Sequence, residues 1–421
     1  MIVAGGTVAW RCAVCRTTVD AATPHGFVCP RSTPTDRHHV LHPVSGITPP
    51  APLDHPNPFV AYGPRMAWWT FGTAHGMREP ALVALAEDVA AGFAVTPFGP
   101  HRLHLTRQPA AATPPTEIGV KDETGNVGGS HKARHLVGIL LHLRATEHLG
   151  LAPPGPRPPL AIASCGNAAV AAATLAQRTA WPLQVFVPDW ASPAVLDLLN
   201  SLGASITVCP RPLDGPPGDP AVLAFRAAVA AGALPFSVQG PENALCLDGG
   251  RTLGWELADQ ATPHGGLDRA AVQVGGGAFA ACVGWGLGPS VRLDTVQTQG
   301  CAPLARAWWR ARDRGLDPAG TEVASHWSEL MTPWADPRSR ADGILDDETY
   351  DWLGDVAVMA ASGGRPLVVP EEAIDSAVDA AATTGIPVSA TGVAGLAGLM
   401  VGPGRPRDGE RVAVIFSGVE Q

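Results

Sequence analysis

Lysine is rare in this chain, and one of its lysines stands where an amine could do chemistry. Of the 29 lysines and arginines among the 421 residues, only Lys121 and Lys132 are lysines. Lys132 lies in the stretch GGSHKARH (128–135), a glycine turn that enters a predicted helix. A solvated lysine would also fit there, but arginine can replace lysine wherever a charge suffices, whereas only a primary amine forms an imine with an aldehyde. We therefore predict a chemical role for Lys132.

The second lysine has a different setting. Lys121 stands at the end of a predicted strand, in IGVKDE, beside Asp122 and Glu123. Neighbouring carboxylates can hold a lysine as an ion pair. We therefore expect Lys121 to be a salt-bridged or structural residue.

A run of three glycines follows another predicted strand and opens a helix. Backbone N–H groups at a helix start can bind a phosphate, because they have no partner within the helix and the helix dipole is positive there. Many strand-to-helix turns carry glycines, so the signal alone is weak. It is not the G-x-G-x-x-G fingerprint of dinucleotide-binding proteins, because residue 280 is Ala. The candidate phosphate-binding residues are Gly275, Gly276, Gly277 and Ala278.

Two further turns stand at predicted strand ends. One is Ser-Cys-Gly-Asn-Ala (164–168), a strand-to-helix turn suited to an anion, and the other contains Ser417. In open parallel sheets, ligands bind beyond the carboxyl ends of the strands, so these turns can converge on one ligand. Cys165 is unusual in such a loop, and its simpler interpretation is a small buried filler.

The elements that must position these turns alternate regularly. From about residue 160 onwards, short apolar runs predicted as strands, such as 183–188, are followed by predicted helices, such as 192–203. Such alternation is typical of parallel sheets covered by helices on both faces. We predict an α/β fold with two domains, each built on such a sheet. Segment 303–365 is rich in tryptophan and has a weaker rhythm.

Taken together, the motifs resemble those of pyridoxal-phosphate enzymes with the tryptophan synthase β-subunit fold (fold type II), especially threonine synthases and serine/threonine dehydratases. The resemblance covers about residues 115–421 and rests on these motifs in order: KDE…GGSHK, SCGNAA, GGRTLGWEL, VGGGAFA, VQTQG and FSG. It implies a large cofactor-binding domain (51–140 and 241–421) and a small mobile domain (141–240) that carries the substrate loop. It also implies a homodimer.

The resemblance further implies a role for each site residue. Lys132 would form the imine with pyridoxal phosphate, with His131 beside the cofactor. Asn167 would hydrogen-bond the cofactor's phenolic oxygen, and Ser417 would face its pyridine nitrogen. The glycine run 275–277 and Ala278 would hold the phosphate. The substrate carboxylate would lie on five residues: Ser164, Cys165, Gly166, Asn167 and Ala168.

One departure bears on the substrate. Threonine synthases usually have Phe-Lys-Asp at the lysine, whereas this chain has His131-Lys132-Ala133, which is closer to the tryptophan synthase β subunit. This weakens the case for a phosphohomoserine substrate.

The chemistry follows from these parts. The amine of Lys132, once freed by the substrate, would take the α-proton, so its pKa must lie below the usual value of about 10.4. A neutral Ser417 would leave the pyridine nitrogen unprotonated and so favour prompt loss of a β-leaving group. We predict β-elimination or β-replacement on a small serine- or threonine-like amino acid or an O-activated derivative. Two alternatives are threonine synthase chemistry at the γ-position of a phosphorylated homoserine, and a non-catalytic ligand-binding protein.

The first 50 residues have a separate pattern. Cys12 and Cys15 form a C-x2-C pair, and Cys29 follows; zinc is typically held by four such thiolate or imidazole ligands. His39 is the candidate fourth ligand, because related chains read CP…HVL here. Three other histidines remain candidates for the fourth ligand, namely His25, His38 and His42. A second C-x2-C pair is missing, since residue 32 is Ser, but we predict a structural zinc in segment 1–50.

Composition limits the partners. The formal net charge of −9 argues against a nucleic acid or an anionic membrane as partner. No apolar run reaches the roughly 20 residues of a membrane span, and the first residues lack the pattern of a secretion signal. We therefore expect a cytoplasmic protein, in which the eight cysteines are thiols or metal ligands.

Overall fold

The computed structural model describes residues 5–106, 115–211, 219–317 and 321–421, so the parts of the predicted segments at 1–4, 107–114, 212–218 and 318–320 lie outside it. The described residues form thirteen strands: β1 (Thr7–Cys12), β2 (Thr18–Asp20), β3 (Leu41–Ser45), β4 (Phe98–Leu103), β5 (Thr116–Asp122), β6 (Leu160–Ala163), β7 (Leu183–Pro188), β8 (Ser205–Cys209), β9 (Leu234–Pro235), β10 (Arg269–Gln273), β11 (Arg292–Thr298), β12 (Pro366–Val369) and β13 (Val412–Phe416).

They also form fifteen α-helices: α1 (Pro58–Ala61), α2 (Ala67–Ala74), α3 (Glu79–Val89), α4 (Lys132–His148), α5 (Asn167–Arg178), α6 (Pro193–Ser201), α7 (Pro220–Ala230), α8 (Leu245–Ala261), α9 (Ala278–Leu287), α10 (Pro303–Asp313), α11 (Thr321–Ser325), α12 (Trp327–Leu330), α13 (Trp352–Ser362), α14 (Glu371–Ala382) and α15 (Ala394–Gly398). None of the helices within the described residues is long and apolar enough to cross a membrane.

The larger sheet has six strands in the order β12-β11-β10-β13-β5-β4. Its first five strands are parallel. Strands β10 and β13 are buried at every residue, as expected for strands covered on both faces. The sixth strand departs from the prediction of a parallel sheet, because β4 pairs antiparallel with β5. It lies at the edge and contains Pro100, and proline is tolerated at edges because it cannot donate to a ladder.

The smaller sheet has four parallel strands in the order β8-β7-β6-β9. The predicted strand 183–188 is β7, and the predicted helix 192–203 is α6, which ends at Ser201. The two helix-covered parallel sheets confirm the α/β fold class. The limits predicted for the two domains stay a prediction.

A third sheet belongs to the N-terminal segment and was not predicted. Strand β1 lies between β2 and β3 and pairs antiparallel with both. Trp10 in its centre is buried, and it pairs with Val19 on one side and Pro43 on the other. Cys12 is therefore the last residue of a strand paired on both sides, and Cys15 lies in the turn that follows.

Helix α8, which contains the GGRTLGWEL motif, is the central packing element. A methyl group added to Gly249 would lie 2.2 Å from the carbonyl oxygen of Arg134 in α4, and one added to Gly254 would lie 2.6 Å from that of Val283 in α9. Only glycine permits such close approach of backbones. The motif therefore lets α8 pack tightly against both helices that start at the candidate site.

Candidate active site

Lys132 is the first residue of α4, and the turn before it depends on glycine. Gly128 and Gly129 both have left-handed conformations, with φ of 70° and 73°, which other residues rarely adopt. A methyl group on Gly128 would lie 2.8 Å from the Cα of Ala171 in α5. Ser130 then pairs with Gly418 in an isolated antiparallel bridge. The turn is thus fixed between a helix of the smaller sheet and the end of β13.

The amine of Lys132 has the electrostatic setting that the predicted chemistry requires. Its side chain is partly exposed. Burial lowers its pKa below the ordinary value, against the opposing effects of Asp346 and Cys246. An amine with a lowered pKa is a better base and nucleophile near neutral pH.

His131 lies beside Lys132 and leaves one ring nitrogen open. Its ring stacks on Phe279 of α9, with centroids 3.9 Å apart. Its Nδ1 is 3.0 Å from the carbonyl oxygen of Ser417 and donates to it, which makes Nε2 an acceptor. Burial lowers the pKa of His131 well below its ordinary value, so the ring is neutral. Nε2 is buried and has no partner among the described residues.

The glycine loop (275–277) follows β10 and precedes α9. Gly277 is left-handed, with φ of 97°, and caps the helix. The loop lies against an acidic side chain: a methyl group on Gly275 would be 2.5 Å from Oδ2 of Asp346, and one on Gly276 would be 3.6 Å from it. At the start of a helix, such a glycine loop lets backbone N–H groups approach an anionic oxygen closely.

Ser417 follows β13 and is buried next to Gln273, the last residue of β10. Its Oγ accepts a hydrogen bond of 2.7 Å from Nε2 of Gln273, which also donates to the carbonyl oxygen of Gly392 at 2.9 Å. The hydroxyl proton of Ser417 is then available to an acceptor. Oε1 of Gln273 is buried without a partner among the described residues.

The loop 164–168 comes from the smaller sheet and meets the same place. It joins β6 to α5, and Asn167 is the first residue of that helix. Asn167 Nδ2 donates to the carbonyl oxygen of Val419 at 3.0 Å, and its Oδ1 accepts from Gln421 Nε2 at 2.6 Å. A methyl group on Gly418 would lie 2.7 Å from Ser130 Cβ and 3.1 Å from Asn167 Nδ2. The turns of both sheets therefore converge beside the end of β13.

The rest of this loop is also placed at the helix start. Ser164 Oγ accepts from the Gly166 N–H at 3.4 Å, and Ala168 is buried in the first turn of α5. Burial raises the pKa of Cys165 to about 11, and Asp219 and Asp342 add to this. The thiol is therefore protonated at neutral pH. Cys165 is only half-buried, so its interpretation as a buried filler stays a prediction.

Several site residues were missed from the sequence, and three of them are acids of the run DDETYDWLGD. Asp346 lies on the glycine loop, and Asp351 Oδ2 accepts from the Gly240 N–H at 2.9 Å. Burial raises the pKa of Asp351 to about 7 and that of Asp355 well above its ordinary value. Both oxygens of Asp355 are buried without a partner among the described residues. The only sequence feature that could have pointed to these residues is the high density of acids in this run, within the irregular segment 303–365.

These groups fit pyridoxal phosphate. A primary amine at the start of α4, a glycine loop at the start of α9 and a buried hydroxyl with a free proton after β13 stand at the ends of these elements, with buried acceptors that lack partners among the described residues. Residues 96–418 also match the family described as "Pyridoxal-phosphate dependent enzyme". The chain belongs to this family. The expected ligand set of Lys132, the glycine loop and Ser417 lies within the matched range.

Solved structures agree with the fold of the family. Maize serine racemase has a TM-score of 0.60 and 17% identity, over 81% of this chain and 92% of that one. A threonine deaminase from T.th. has a TM-score of 0.56 and 22% identity, over 81% and 97%. The L-serine ammonia-lyase of Rhizomucor miehei has a TM-score of 0.56 and 16% identity, over 77% and 94%. A comparison with curated proteins found no match.

These likenesses confirm fold type II. At such low identity they show the fold alone. The roles of individual site residues, the domain limits and the homodimer stay predictions.

The four predicted metal ligands of the N-terminal segment come together. Atoms of Cys12, Cys15, Cys29 and His39 that could bind a metal all lie within 4.8 Å of one another. Cys12 Sγ is 3.5 Å and Cys29 Sγ 3.7 Å from His39 Nδ1, and the sulfurs of Cys15 and Cys29 are 3.6 Å apart. Tetrahedral zinc ligands lie about 3.5–3.8 Å apart. The cluster could therefore hold a metal ion.

The other histidines considered lie outside this cluster. His38 stacks on Trp327, with centroids 3.9 Å apart, and accepts from Trp352 Nε1 at 3.1 Å. His42 packs against Trp285 and His25 against Phe27. Nε2 of His39 is 3.2 Å from Oδ2 of Asp36, a typical outer partner of a metal-bound histidine.

Proposed function

We propose that the protein is a pyridoxal-phosphate enzyme that acts on a small serine- or threonine-like amino acid, or an O-activated derivative, by β-elimination or β-replacement. The observation that carries the proposal is that the turn before Lys132, the loop of Asn167 and the end of β13 meet, and burial also lowers the pKa of the Lys132 amine. The three structural neighbours are a serine racemase, a threonine deaminase and an L-serine ammonia-lyase, which also supports such a substrate. Pyridoxal phosphate, when bound, supplies the aldehyde and the electron sink of the reaction.

Lys132 has two tasks in this proposal. Its primary amine holds the cofactor, and after substrate binding the same nitrogen accepts the α-proton. The lowered pKa serves the second task, because an amine of ordinary pKa is almost fully protonated at neutral pH. Lys132 is the first residue of α4 and is half-buried.

Ser417 and His131 tune the site without adding charge. The Ser417 hydroxyl, oriented by Gln273, would donate to the pyridine nitrogen but would not protonate it fully. The neutral His131 ring, held by Phe279 and the carbonyl of Ser417, would pack beside the cofactor. Because neither residue would add a positive charge to the cofactor, loss of a β-leaving group would be favoured over slower exchange reactions.

Residues 164–168 would receive the substrate carboxylate at the start of α5. Asn167 now bonds Val419 and Gln421, so binding would exchange these contacts for contacts to ligand. Such an exchange lets the smaller sheet's loop respond to substrate while the glycine loop stays in place.

The proposal is tested with the purified enzyme loaded with pyridoxal phosphate. L-Serine, L-threonine and O-acetyl-L-serine should each change the cofactor's absorption, and at least one should release ammonia and an oxo acid or, with an added nucleophile, a new amino acid. A protein that binds the cofactor but shows neither spectral change nor product with any of them would contradict the proposal.

We also propose that the N-terminal cluster holds a structural zinc ion. Purified protein should contain about one zinc per chain, and Cys29→Ser should lose most of it and lower the melting temperature. Cys209→Ser is the control, since Cys209 is a buried thiol of β8 away from the cluster. Elemental analysis that finds no metal in protein purified without chelator would contradict this.

A further inference from the structure

The glycine loop is joined to two other parts of the chain through Asp351. The Asp351 N–H donates to the carbonyl oxygen of Gly276 at 2.8 Å, and Oδ2 of Asp351 accepts from the Gly240 N–H at 2.9 Å. Asp351 is buried and immediately precedes helix α13. It therefore connects the glycine loop both to α13 and to the stretch 240–244, which leads into α8.

The glycine loop also packs closely on the turn that ends at Asp351. A methyl group on Gly277 would lie 2.9 Å from Thr349 Cγ2 and 3.2 Å from the backbone carbonyl carbon of Asp351. One on Gly276 would lie 3.3 Å from Tyr350 Cδ2. Because protein interiors transmit small displacements, the position of this turn sets the position of the glycine loop.

The N-terminal segment contacts the stretch 240–244 on one side of Asp351. The carbonyl oxygen of Phe27 accepts from the Ala244 N–H at 2.7 Å. The guanidinium of Arg37 pairs with the carboxylate of Glu242 at 2.5 Å. One neighbour of Asp351 in space is therefore held by the N-terminal segment.

The N-terminal segment also contacts Trp352, the residue that follows Asp351. The indole Nε1 of Trp352 donates to Nδ1 of His38 at 3.1 Å, and both side chains are buried. The His38 ring further stacks on Trp327, with centroids 3.9 Å apart. This hydrogen bond thus reaches the residue next to the one that bonds the glycine loop.

His38 is itself fixed within the N-terminal segment. It precedes His39, which belongs to the cluster that could hold a metal ion. The carbonyl oxygen of His38 accepts from the Val40 N–H at 2.8 Å. The carbonyl oxygen of Val40 in turn accepts at 2.9 Å from the N–H of Ala13, which lies in the turn of the cysteine pair. His38 therefore presents its acceptor to Trp352 from a backbone that is held in place.

We propose that His38 and Trp352 are positioning residues, whose hydrogen bond holds the glycine loop in the geometry that binds the phosphate of the cofactor. The inference rests on the proposed function, because it takes this loop as the phosphate site of pyridoxal phosphate. It gives the N-terminal segment a task beyond its own stability, since the affinity for the cofactor then depends on this segment.

The test measures the binding of two aldehydes to cofactor-free protein by titration of their absorption. Pyridoxal phosphate carries the phosphate, and pyridoxal is the same aldehyde without it. The ratio of their dissociation constants isolates the contribution of the phosphate, and a general loss of folded protein does not change it. Wild type should bind pyridoxal phosphate much more tightly than pyridoxal.

Trp352→Phe is the decisive variant, because it keeps a buried aromatic ring but removes the N–H that His38 accepts. It should weaken the binding of pyridoxal phosphate by about five- to tenfold and change that of pyridoxal by less than about twofold. Trp308→Phe is the matched control. Trp308 is also buried, but its Nε1 has no hydrogen-bond partner among the described residues, so the ratio should stay within about twofold of wild type.

Variants of His38 test the same hydrogen bond from the other side. His38→Leu removes the acceptor and should weaken the binding of pyridoxal phosphate as Trp352→Phe does. His38→Asn keeps an acceptor near the place of Nδ1 and should restore most of the affinity. In the double variant of His38→Leu and Trp352→Phe, the loss should not exceed the larger of the two single losses, because both changes remove one interaction.

Three results would overturn the role of His38 and Trp352 while leaving the proposed function intact. These are an unchanged ratio in Trp352→Phe, an equal loss of affinity for both aldehydes, and a loss of the same size in Trp308→Phe. Absence of turnover with every amino acid would contradict the proposed function but not this inference, because the titrations contain no substrate. A wild type that binds both aldehydes equally well would overturn both.

Discussion

Lys121 and Lys132 lie eleven residues apart, yet their surroundings are opposite. Nζ of Lys121 is fully buried and donates to the carbonyl oxygen of Thr96 at 2.7 Å, to Gln260 Oε1 at 2.6 Å and to Glu256. The amine of Lys132 is partly exposed and has no hydrogen-bond partner among the described residues. A lysine with every donor satisfied is part of the structure, whereas one whose amine is left open is available for chemistry.

The contrast extends to the groups around each lysine. Near Lys121, Arg134 forms ion pairs with Glu123 at 2.8 Å and with Glu256 at 3.0 Å, and Thr96 bonds both acids. Close to Lys132, His131 Nε2 and Gln273 Oε1 are buried without partners among the described residues. Because buried polar groups are almost always paired, a ligand can supply the partners of these two atoms.

The largest expected effect is that of removing the Lys132 amine. Lys132→Ala should bind pyridoxal phosphate on the glycine loop but lose turnover by at least about 10³-fold, since the same amine holds the cofactor and carries the proton. Borohydride reduction of wild type followed by peptide mapping should place the cofactor on Lys132. If the reduced cofactor were found on Lys121, then Lys121 and not Lys132 would be the lysine that binds it.

Removing the Lys121 amine should affect stability instead. Lys121→Met leaves Glu256 buried with one cation fewer, which we expect to lower the free energy of unfolding by about 3–5 kcal/mol. Turnover per folded molecule should stay within about twofold, and denaturant unfolding with activity measured on the folded fraction checks both. Normal stability with lost activity would show that Lys121 belongs to the site.

The two regions should also respond to pH with opposite signs. Burial would raise the pKa of Glu256, but Arg134 and Lys121 lower it below its ordinary value, so its contribution to stability is present above about pH 4.5 and is lost in acid. Burial raises the pKa of Asp351 from 3.8 to about 7. Its contribution is therefore present below about pH 4 and is lost as the pH rises through 7.

Asp351→Asn should remove the loss of stability with rising pH that we assign to Asp351. Relative to wild type, the cofactor-free variant should gain about 2–4 kcal/mol of stability between pH 4 and pH 8, since the amide has no proton to lose. Glu256→Gln serves as the opposite control. Its loss of unfolding free energy relative to wild type should become smaller as the pH falls. Denaturant midpoints across this pH range measure both, and parallel curves for Asp351→Asn and wild type would contradict the assignment.

Features of the structure could be predicted from the sequence when neighbouring residues encode them. Strand β7 and the start of α4 at Lys132 follow from nearby residues, and the cysteine spacing predicted three of the four residues of the cluster that could hold a metal. The contacts of Asp346 and Gln273 could not be predicted, because they exist only when segments more than a hundred residues from Lys132 dock on it. The N-terminal sheet was missed since its strands are short, half-exposed and paired antiparallel.

The smallest expected effects come from removing one hydroxyl in each region, and they test the comparison most finely. Thr96→Val deletes a hydroxyl that donates to Glu123 and accepts from Arg134, so we expect a loss of about 1–2 kcal/mol in stability with unchanged turnover per folded molecule. Ser417→Ala deletes the hydroxyl that Gln273 orients, and its free proton is the one we assign to the cofactor. Its turnover should fall by about tenfold and the absorption of the bound cofactor should shift, while stability changes by less than about 1 kcal/mol. If Ser417→Ala instead lost stability and kept both turnover and spectrum, Ser417 would belong to the satisfied kind of network that surrounds Lys121.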